Sequence, residues 1–209
     1  MKSKSTENKG YFDQLSKDWD QNSMRHQIAL NVARSIHKNV SLKKDSVMLD
    51  FGCGTGLVSF FFYPKLKRLD GVDTSIGMVE EFNKKAKKET FENAGARVFN
   101  MENEVLPVKE YDVIVSSMVF HHIKSPTQLL KKLHEALKPG GVLAIADLDE
   151  EDGTFHPAEA ESVHHNGFSR KQISQWFAGA GYQSVALETV MNFNREGHEY
   201  SIFLCRGSK

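Results

Sequence analysis

The sequence has little cysteine, no excess of charge of either sign and no long apolar run. Its two cysteines, Cys53 and Cys205, are too few for a disulfide framework and favour a reducing, cytoplasmic compartment. Lys and Arg number 27, as do Asp and Glu, so no net field attracts nucleic acid or an anionic membrane. The longest apolar run, around residues 60–63, is far shorter than the roughly 18 residues that a membrane-spanning helix needs. These absences disfavour nucleic-acid and membrane partners.

The composition is that of a globular protein with one domain. Of the 209 residues, 40% are apolar and 26% are charged. Residues 1–10 are polar and predict a disordered arm, whereas residues 11–209 predict a single domain. Two amphipathic helices within residues 11–45, and a long loop over residues 148–168 that is rich in acidic residues and histidine, interrupt the regular pattern. We expect these two segments to cover a site and contact its substrate.

A glycine-rich turn follows the first predicted strand, residues 47–49. Asp50 precedes a run in which every second residue is glycine, namely Gly52, Gly54 and Gly56. Without these Cβ atoms the backbone can turn sharply, and its N–H groups can approach a ligand. Residues 57–63 then predict a short helix that Pro64 ends. A glycine turn at a helix N-terminus predicts a nucleotide-binding site.

The spacing of the turn narrows the choice of nucleotide. The dinucleotide fingerprint G-x-G-x-x-G has its third glycine where this chain has Leu57, and Gly56 comes one position early. Asp73 ends the second predicted strand, residues 67–72. Its carboxylate can accept two hydrogen bonds from the vicinal hydroxyls of an adenosine ribose. Asp73 therefore predicts an adenosine ligand, but NAD enzymes place a carboxylate in the same role.

Strands and helices alternate along the rest of the chain. Further strands are predicted at residues 96–100, 111–116 and 142–146, with helices that begin after Ser75, Ser125 and Ser169. Two more strands, at residues 182–190 and 200–206, close the pattern. This order predicts an α/β fold with a doubly wound, mostly parallel sheet, whose ligands bind beyond the carboxyl ends of the strands. The residues at those ends are Gly52, Asp73, Asn100, Ser116 and Asp147.

Four segments, in order, resemble one enzyme family. The segments LDFGCGTG, the strand end at Asp73, YDVIVS and LHEALKPGGVL are similar to the motifs of class I S-adenosylmethionine-dependent methyltransferases. Within that family the chain most resembles the small-molecule group that includes ubiquinone and menaquinone biosynthesis enzymes. The resemblance covers about residues 40–206. It implies a Rossmann-like sheet of seven strands with a reversed last strand, and S-adenosyl-L-methionine as cofactor. The implied reaction is methyl transfer to an oxygen, nitrogen or carbon atom of a small-molecule acceptor by in-line displacement.

The resemblance also implies roles for individual residues. Gly52 and Gly54 would border the methionine part of the cofactor, and Asp73 would hold the ribose. Thr74 and Met78 would flank the adenine, Met101 would contact it through its backbone, and Ser116 would lie near the sulfonium. The full set of predicted cofactor-binding residues is Asp50, Gly52, Gly54, Gly56, Asp73, Thr74, Met78, Met101 and Ser116.

Histidines and aromatic residues supply the other candidates. Six of the nine histidines lie between positions 121 and 165. His121 and His122 directly follow the fourth strand, so they are the predicted catalytic bases, with a structural role as the alternative. A further alternative is a metal site with nitrogen and oxygen ligands, formed by His156, His164, His165, Asp147 and Asp149. No regular ligand spacing supports it, so the sequence analysis predicts no metal. Tyr11 or Trp19 would either face the cationic methyl group or anchor the first helix.

Two other functions remain open from the sequence. The first is a non-catalytic protein that binds S-adenosylmethionine or S-adenosylhomocysteine and methylates no acceptor. The sequence does not exclude it, because methyl transfer requires no fixed catalytic residue whose absence would mark such a protein. An NAD-dependent oxidoreductase is a second alternative, disfavoured by Leu57. The oligomeric state is left open.

Overall fold

Seven strands form one sheet in the computed structural model, which describes residues 4–100, 104–156 and 163–209. The strands are β1 (Val47–Phe51), β2 (Arg68–Asp73), β3 (Ala94–Val98), β4 (Tyr111–Ser117), β5 (Leu137–Leu148), β6 (Gln183–Arg195) and β7 (His198–Ser208). Their order is β3-β2-β1-β4-β5-β7-β6. The first five are parallel, and β7 runs antiparallel to both β5 and β6. The predicted doubly wound sheet of seven strands is therefore confirmed.

Five α-helices accompany the sheet within the described residues. They are α1 (Lys4–Leu15), α2 (Ser23–Asn39), α3 (Ile76–Lys88), α4 (Pro126–Ala136) and α5 (Arg170–Gly179). Leucines of α4 pack with Ile173 and Phe177 of α5 in one apolar cluster, whereas Val32 and Ile36 of α2 pack with Phe82 of α3 in another. All five residues of β1 are buried, as expected for a central strand covered on both faces. Among the described helices, none is long and apolar enough to cross a membrane.

Serine side chains begin two of the helices as predicted. Ser75 Oγ accepts a hydrogen bond from the Met78 amide at 3.1 Å, and Ser169 Oγ accepts one from the Gln172 amide at 3.3 Å. Such caps satisfy amide donors that lack a partner in the first helical turn. Ser125 also lies at a helix start, before Pro126, but its side chain accepts no capping bond from the residues that the structure describes.

The segment after the glycine turn differs from the sequence prediction. Instead of one helix over residues 57–63, two short 3-10 helices span Ser59–Phe61 and Tyr63–Lys65. Phe60 packs against Phe82 of α3 with ring centroids 4.5 Å apart, and Phe62 is fully buried elsewhere in the same cluster. Consecutive aromatic anchors of this kind favour the tighter 3-10 turn over a regular α-helix.

Several other element boundaries also differ, including those of β6 and β7. β3 ends at Val98, two residues before the predicted Asn100, because the Asn100 amide donates to Glu104 Oε1 at 2.7 Å rather than to the sheet. β5 begins at Leu137, since Lys209 pairs with Gly140 and Gly141 and continues the strand through the predicted break. α1 begins at Lys4, whereas the sequence predicts a disordered arm through residue 10. Its far end is anchored on α3, which lets the helix extend towards the N-terminus; the division into arm and single domain stays a prediction.

Candidate functional site

The glycine turn lies against the neighbouring strand β2. The amides of Gly52 and Cys53 both donate to the carbonyl of Val72, at 2.8 and 3.0 Å. Gly52 has φ +72°, and a Cβ there would lie 2.3 Å from Cγ2 of Val119. Gly56 has φ +85°, and a Cβ there would come within 2.7 Å of the Phe60 ring. These two glycines therefore allow the turn to pack against the protein itself.

Gly54 differs because it lies beside open space. Its φ is +51°, and the single described heavy atom within 4 Å of a Cβ added there is Sδ of Met78, at 4.0 Å. The amide of Gly54 donates to Oδ2 of Asp73 at 2.8 Å. Of the three glycines, Gly54 is thus the one with open space beside its Cα.

Asp73 lies at the carboxyl end of β2 and faces the glycine turn. Its Oδ2 accepts the Gly54 amide, and its Oδ1 accepts the Ser75 amide at 2.9 Å. Burial raises the pKa of Asp73, and the backbone hydrogen bonds from Ser75 and Gly54 oppose that rise without cancelling it. Asp73 and the glycine turn are thus adjacent in space, and their shared role in one site stays a prediction.

Asp50 is a second carboxylate at this edge, but it is only 2% exposed. Burial raises its pKa to about 7, a polar contact from Ser59 opposes the rise, and the negative charge of Asp73 adds to it. Asp50 therefore changes its charge near neutral pH. A cationic group bound nearby would favour the ionised form.

The other residues predicted to contact the cofactor differ in exposure and in hydrogen bonding. Thr74 is exposed at the start of α3, and Met78 is buried beside Gly54. Ser116 is 1% exposed and donates its hydroxyl to the Phe51 carbonyl at 2.8 Å, so this hydroxyl is engaged within the sheet. Met101 lies outside the described residues.

Two aspartates of the N-terminal segment hold it across the glycine turn and α3. Asp13 Oδ1 accepts hydrogen bonds from Ser75 Oγ at 2.6 Å and from the Gly77 amide at 2.8 Å. Asp20 accepts the Thr55 hydroxyl at 2.5 Å and pairs with Nζ of Lys85 at 2.6 Å. The sequence prediction included a covering segment but did not identify either aspartate, because no local pattern distinguishes them from solvated acids.

Phe12 brings this segment to the histidines. Its ring centroid lies 5.6 Å from that of His122 and 5.8 Å from that of Trp19. Tyr11 is 51% exposed, and the Trp19 ring is covered by the Arg25 guanidinium at 3.6 Å. Phe12 thus contacts a predicted catalytic residue, whereas the sequence prediction had named Tyr11 and Trp19 as the aromatic candidates.

His121 is held by a buried carboxylate. Nδ1 of His121 lies 2.6 Å from Oδ1 of Asp147, and the two side chains are 1% and 0% exposed. The amides of Leu148 and Phe120 also donate to this carboxylate, each at 2.8 Å. Burial raises the pKa of Asp147, but the charge and hydrogen bond of His121 outweigh it, and the pKa lies below its usual range. The ionised Asp147 therefore fixes the orientation of the His121 ring.

A third imidazole completes the group. Nε2 of His156 lies 3.1 Å from Nε2 of His121. Burial, with the nearby His121, lowers the pKa of His156 to about 4, so this ring is neutral at pH 7. The ligand atoms of His121, His122 and His156 all lie within 4.8 Å of one another. The predicted catalytic pair is thus adjacent in space, with His156 beside it.

The alternative metal site of the sequence analysis is not assembled within the described residues. Both carboxylate oxygens of Asp149 bind Arg170 at 2.8 Å, and Nε2 of His165 lies 3.0 Å from the Ile123 carbonyl oxygen. Of the five residues in that alternative site, only His156 belongs to the group formed with His121 and His122. Asp147 reaches this group indirectly, through its contact with His121. Sequence spacing did not reveal this because the three rings come from segments 34 positions apart.

Several known proteins are similar in sequence to this chain. Residues 24–187 match the family model of a methyltransferase domain. An uncharacterized methyltransferase of Schizosaccharomyces pombe is 38% identical over 157 residues, which cover 68% of this chain and 55% of that protein. The malonyl-[acyl-carrier protein] O-methyltransferase of Priestia megaterium is 29% identical over 137 residues, covering 65% and 46%. The chain therefore spans about half the length of these relatives.

A solved structure shows the same fold. Phosphoethanolamine N-methyltransferase 2 of Haemonchus contortus, in complex with S-adenosyl-L-methionine, has a TM-score of 0.71 at 18% identity, over 86% of this chain and 52% of that one. At this identity the similarity concerns the fold alone. The family model covers most of the chain, including the glycine turn and Asp73, and it favours a methyltransferase over an NAD-dependent oxidoreductase. The chain therefore belongs to the class I S-adenosylmethionine-dependent methyltransferases, a family of enzymes whose cofactor is S-adenosyl-L-methionine.

Proposed function

We propose that the protein transfers a methyl group from S-adenosyl-L-methionine to an oxygen, nitrogen or carbon atom of a small-molecule acceptor. The observation that carries this proposal is the attachment of the N-terminal segment across the glycine turn through Asp13 and Asp20. A site covered in this way suits an acceptor that fits beneath a lid better than a nucleic-acid duplex. The zero net charge supports the same choice.

The residues at the turn fit the cofactor. A side-chain carboxylate at the end of β2 can accept ribose hydroxyls, and the space beside Gly54 leaves room for a ligand against the backbone. Gly52, Gly56, Asp50, Thr74, Met78, Met101 and Ser116 complete the proposed binding set. The engaged hydroxyl of Ser116 limits that residue to backbone or van der Waals contact.

The protein's task is mainly to position the acceptor. When bound, S-adenosyl-L-methionine supplies an activated methyl group on a sulfonium. The chain's own residues must hold the acceptor atom about 3 to 3.5 Å from that group, exclude water and, for an acidic acceptor, remove a proton. Phe12 of the N-terminal segment lies against His122, which follows β4, so the segment and the proposed base meet at this point.

His122 is the proposed base, and His121 is a positioning residue. His122 is partly exposed, whereas His121 is 1% exposed and engaged by Asp147 and His156. The rings of His121 and His122 lie 4.1 Å apart, so Asp147 fixes the surroundings of His122 through His121. A neutral imidazole at this position can accept the acceptor's proton at pH 7.

We also propose that the protein resides in a reducing compartment such as the cytoplasm. Cys53 and Cys205 are both buried and free. Burial raises the pKa of Cys205 to about 12 and raises that of Cys53, so both thiols are unreactive at neutral pH. Neither cysteine therefore has the exposed, reactive thiol that a redox or disulfide role requires.

Titration calorimetry followed by an acceptor screen tests the proposal. The purified protein is titrated with S-adenosylmethionine, S-adenosylhomocysteine and NADH, and then incubated with S-adenosylmethionine and pooled metabolites. We expect binding of the two sulfur ligands and acceptor-dependent formation of S-adenosylhomocysteine. Binding without turnover across the pool would favour the non-catalytic alternative, and binding of NADH alone would overturn the proposal.

A further inference from the structure

The three imidazoles of His121, His122 and His156, called the histidine cluster below, have the composition of a metal site. We propose that the histidine cluster binds one divalent transition-metal ion, with Zn²⁺ as the fitting ion. Imidazole nitrogen is a preferred ligand of zinc, and three histidines with one open position form a known type of catalytic zinc site. The ligand atoms of the cluster lie within 4.8 Å of one another.

The distance between His121 and His156 fits a shared ion. Their Nε2 atoms are 3.1 Å apart. Two nitrogens bound to one tetrahedral zinc ion at 2.0 to 2.1 Å lie about 3.3 Å apart, so these two side chains need almost no movement. A ring nitrogen of His122 completes the set, with the ring centroids of His121 and His122 4.1 Å apart and those of His122 and His156 5.4 Å apart.

Asp147 supplies the support that a histidine ligand needs. Metal-binding histidines usually donate their second ring N–H to a carboxylate, which fixes the tautomer and increases the basicity of the ligand nitrogen. Nδ1 of His121 lies 2.6 Å from Oδ1 of Asp147, which leaves Nε2, on the side of His156, as the ligand atom of the proposed site. Three further hydrogen bonds, from the amides of Phe120, His121 and Leu148, hold this carboxylate in place. The cluster is therefore rigid on its His121 side.

The charges around the cluster are compatible with a cation. Asp147 contributes one buried negative charge, and Arg195, whose guanidinium donates to the Phe155 carbonyl at 2.9 Å, contributes one positive charge at the edge. An imidazole binds a metal ion in its deprotonated, neutral form, so the ligands themselves add no charge to a bound ion. An ion in the cluster would thus have one carboxylate behind its His121 ligand and room for an anionic ligand at the open position.

The class of molecule expected at the fourth, open coordination position of the ion rests on the proposed function. Because His122 contacts Phe12 of the covering segment, the cluster lies on the side where the acceptor is proposed to bind. A zinc ion there favours an acceptor with a deprotonated oxygen or sulfur, such as a phenol, an enol or a thiol, whose proton is lost to solvent on coordination. With the ion bound, coordination replaces His122 as the means of deprotonation, because a ring nitrogen that binds the metal cannot also accept a proton. Amine acceptors, which must lose a proton but gain less from coordination, are a poorer match.

The test is a zinc titration of the full chain without an affinity tag. Protein stripped with EDTA is titrated with Zn²⁺ in competition with a chromophoric chelator, and with Co²⁺ while the visible absorbance spectrum is recorded. We expect one equivalent of tightly bound Zn²⁺ and the intense visible bands of tetrahedral Co²⁺. Asp147→Asn should weaken zinc binding by about 10- to 100-fold, and His156→Ala, which removes a ligand, should weaken it further.

The matched control is His165→Ala. His165 lies close in sequence to the cluster but binds the Ile123 carbonyl through its ring, so its loss should leave zinc affinity unchanged. Circular dichroism in EDTA checks that each variant is folded. Failure of the wild type to bind one equivalent, or equal affinity in His156→Ala, would overturn the inference and leave the 3.1 Å contact as an N–H···N hydrogen bond. Binding of S-adenosylmethionine, measured on the same stripped protein, shows whether the proposed function stands independently of that result.

Discussion

The amide of Gly54 and Oδ2 of Asp73 are joined by a hydrogen bond of 2.8 Å. This bond links the middle of the glycine turn to the end of the adjacent strand β2, so the two parts of the proposed cofactor site hold each other in position. The second oxygen of Asp73 is fixed by Ser75 at the start of α3. The carboxylate is therefore held in one orientation, and under the proposed function its remaining lone pairs would accept the ribose hydroxyls.

Replacement of Asp73 tests the adenosine site. Asp73→Ala should weaken binding of S-adenosylmethionine by roughly 2 to 4 kcal/mol, since two charge-assisted hydrogen bonds are lost in a buried position. Calorimetry gives the change directly. Asp70→Ala is the matched control, because Asp70 lies on the same strand but pairs with Arg68 on a part-exposed surface. An unchanged dissociation constant in Asp73→Ala would exclude this carboxylate from the site.

Gly54 and Gly140 allow backbone strain to be separated from ligand binding. Both have positive φ, +51° and +78°, and neither would bring a new Cβ closer than 4.0 Å to a described atom. Alanine at either position should cost about 1 to 2 kcal/mol of folding free energy, measured by urea unfolding. Only Gly54→Ala should also weaken binding of S-adenosylmethionine. Equal cofactor affinity in the two variants would contradict the assignment of Gly54.

Asp13 is predicted to hold the N-terminal segment in place. Asp13→Ala removes the acceptor of two hydrogen bonds, from Ser75 Oγ and the Gly77 amide, so amide hydrogen exchange over residues 10–20 should become faster. Cofactor affinity should fall with it if the segment covers the bound ligand. Asp18→Ala is the control, because Asp18 binds only Gln21 among the contacts described for it and is exposed. Equal exchange in both variants would argue against this anchor.

His156 should make the protein less stable in mild acid. Its pKa is about 4 in the folded protein and about 6.5 when unfolded, because burial and His121 disfavour the charged ring, and Arg195 adds to this while Asp147 opposes it. The unfolded chain therefore takes up the proton first. The stability contributed by neutral His156 is complete above about pH 6.5 and is lost as the pH falls towards 4. His156→Gln, studied by urea unfolding in EDTA, should show a weaker loss over this range; an identical pH profile would refute the prediction.

Asp50 should have the opposite effect on stability. Its pKa is about 7 when folded, against 3.8 for the ordinary carboxyl, so the folded state favours the protonated form. The corresponding stability is complete below about pH 4 and is lost as the pH rises to 7, by up to about 1.4 kcal/mol per pH unit. Asp50→Asn, which mimics the neutral form, should remove this dependence. If the difference in unfolding free energy between variant and wild type does not grow between pH 4 and pH 7, Asp50 is ionised in the folded protein.

Local signals explain what could be predicted from the sequence. The glycine turn and Asp73 lie at the ends of two successive predicted strands, and the carboxyl ends of parallel strands share one edge of a sheet, so their meeting followed from the predicted sheet. Ser75 and Ser169 are confirmed as caps because capping depends on contacts within four residues.

Long-range contacts explain which features could not be predicted from the sequence. Asp13 and Asp20 act on residues more than 30 positions away, and nothing in their neighbours indicates which acids a later segment will contact. The contact of Phe12 with His122 depends on how α1 is attached at α3, which helical periodicity alone does not determine. His156 joins His121 through a segment without regular structure, where no periodicity exists to predict the direction of a side chain.

The position of β7 has a consequence for synthesis on the ribosome. β7 pairs with both β5 and β6, yet it follows both in the chain, so their facing edges have no partner until residues 198–208 have been made. At about 5 to 20 residues per second, the edge of β5 waits for several seconds after Leu148 is added. Open strand edges are sites of intermolecular pairing. A nascent chain halted before His198 would therefore present two unpaired edges to other polypeptides, and chaperones that shield such edges should bind it more strongly than the finished chain.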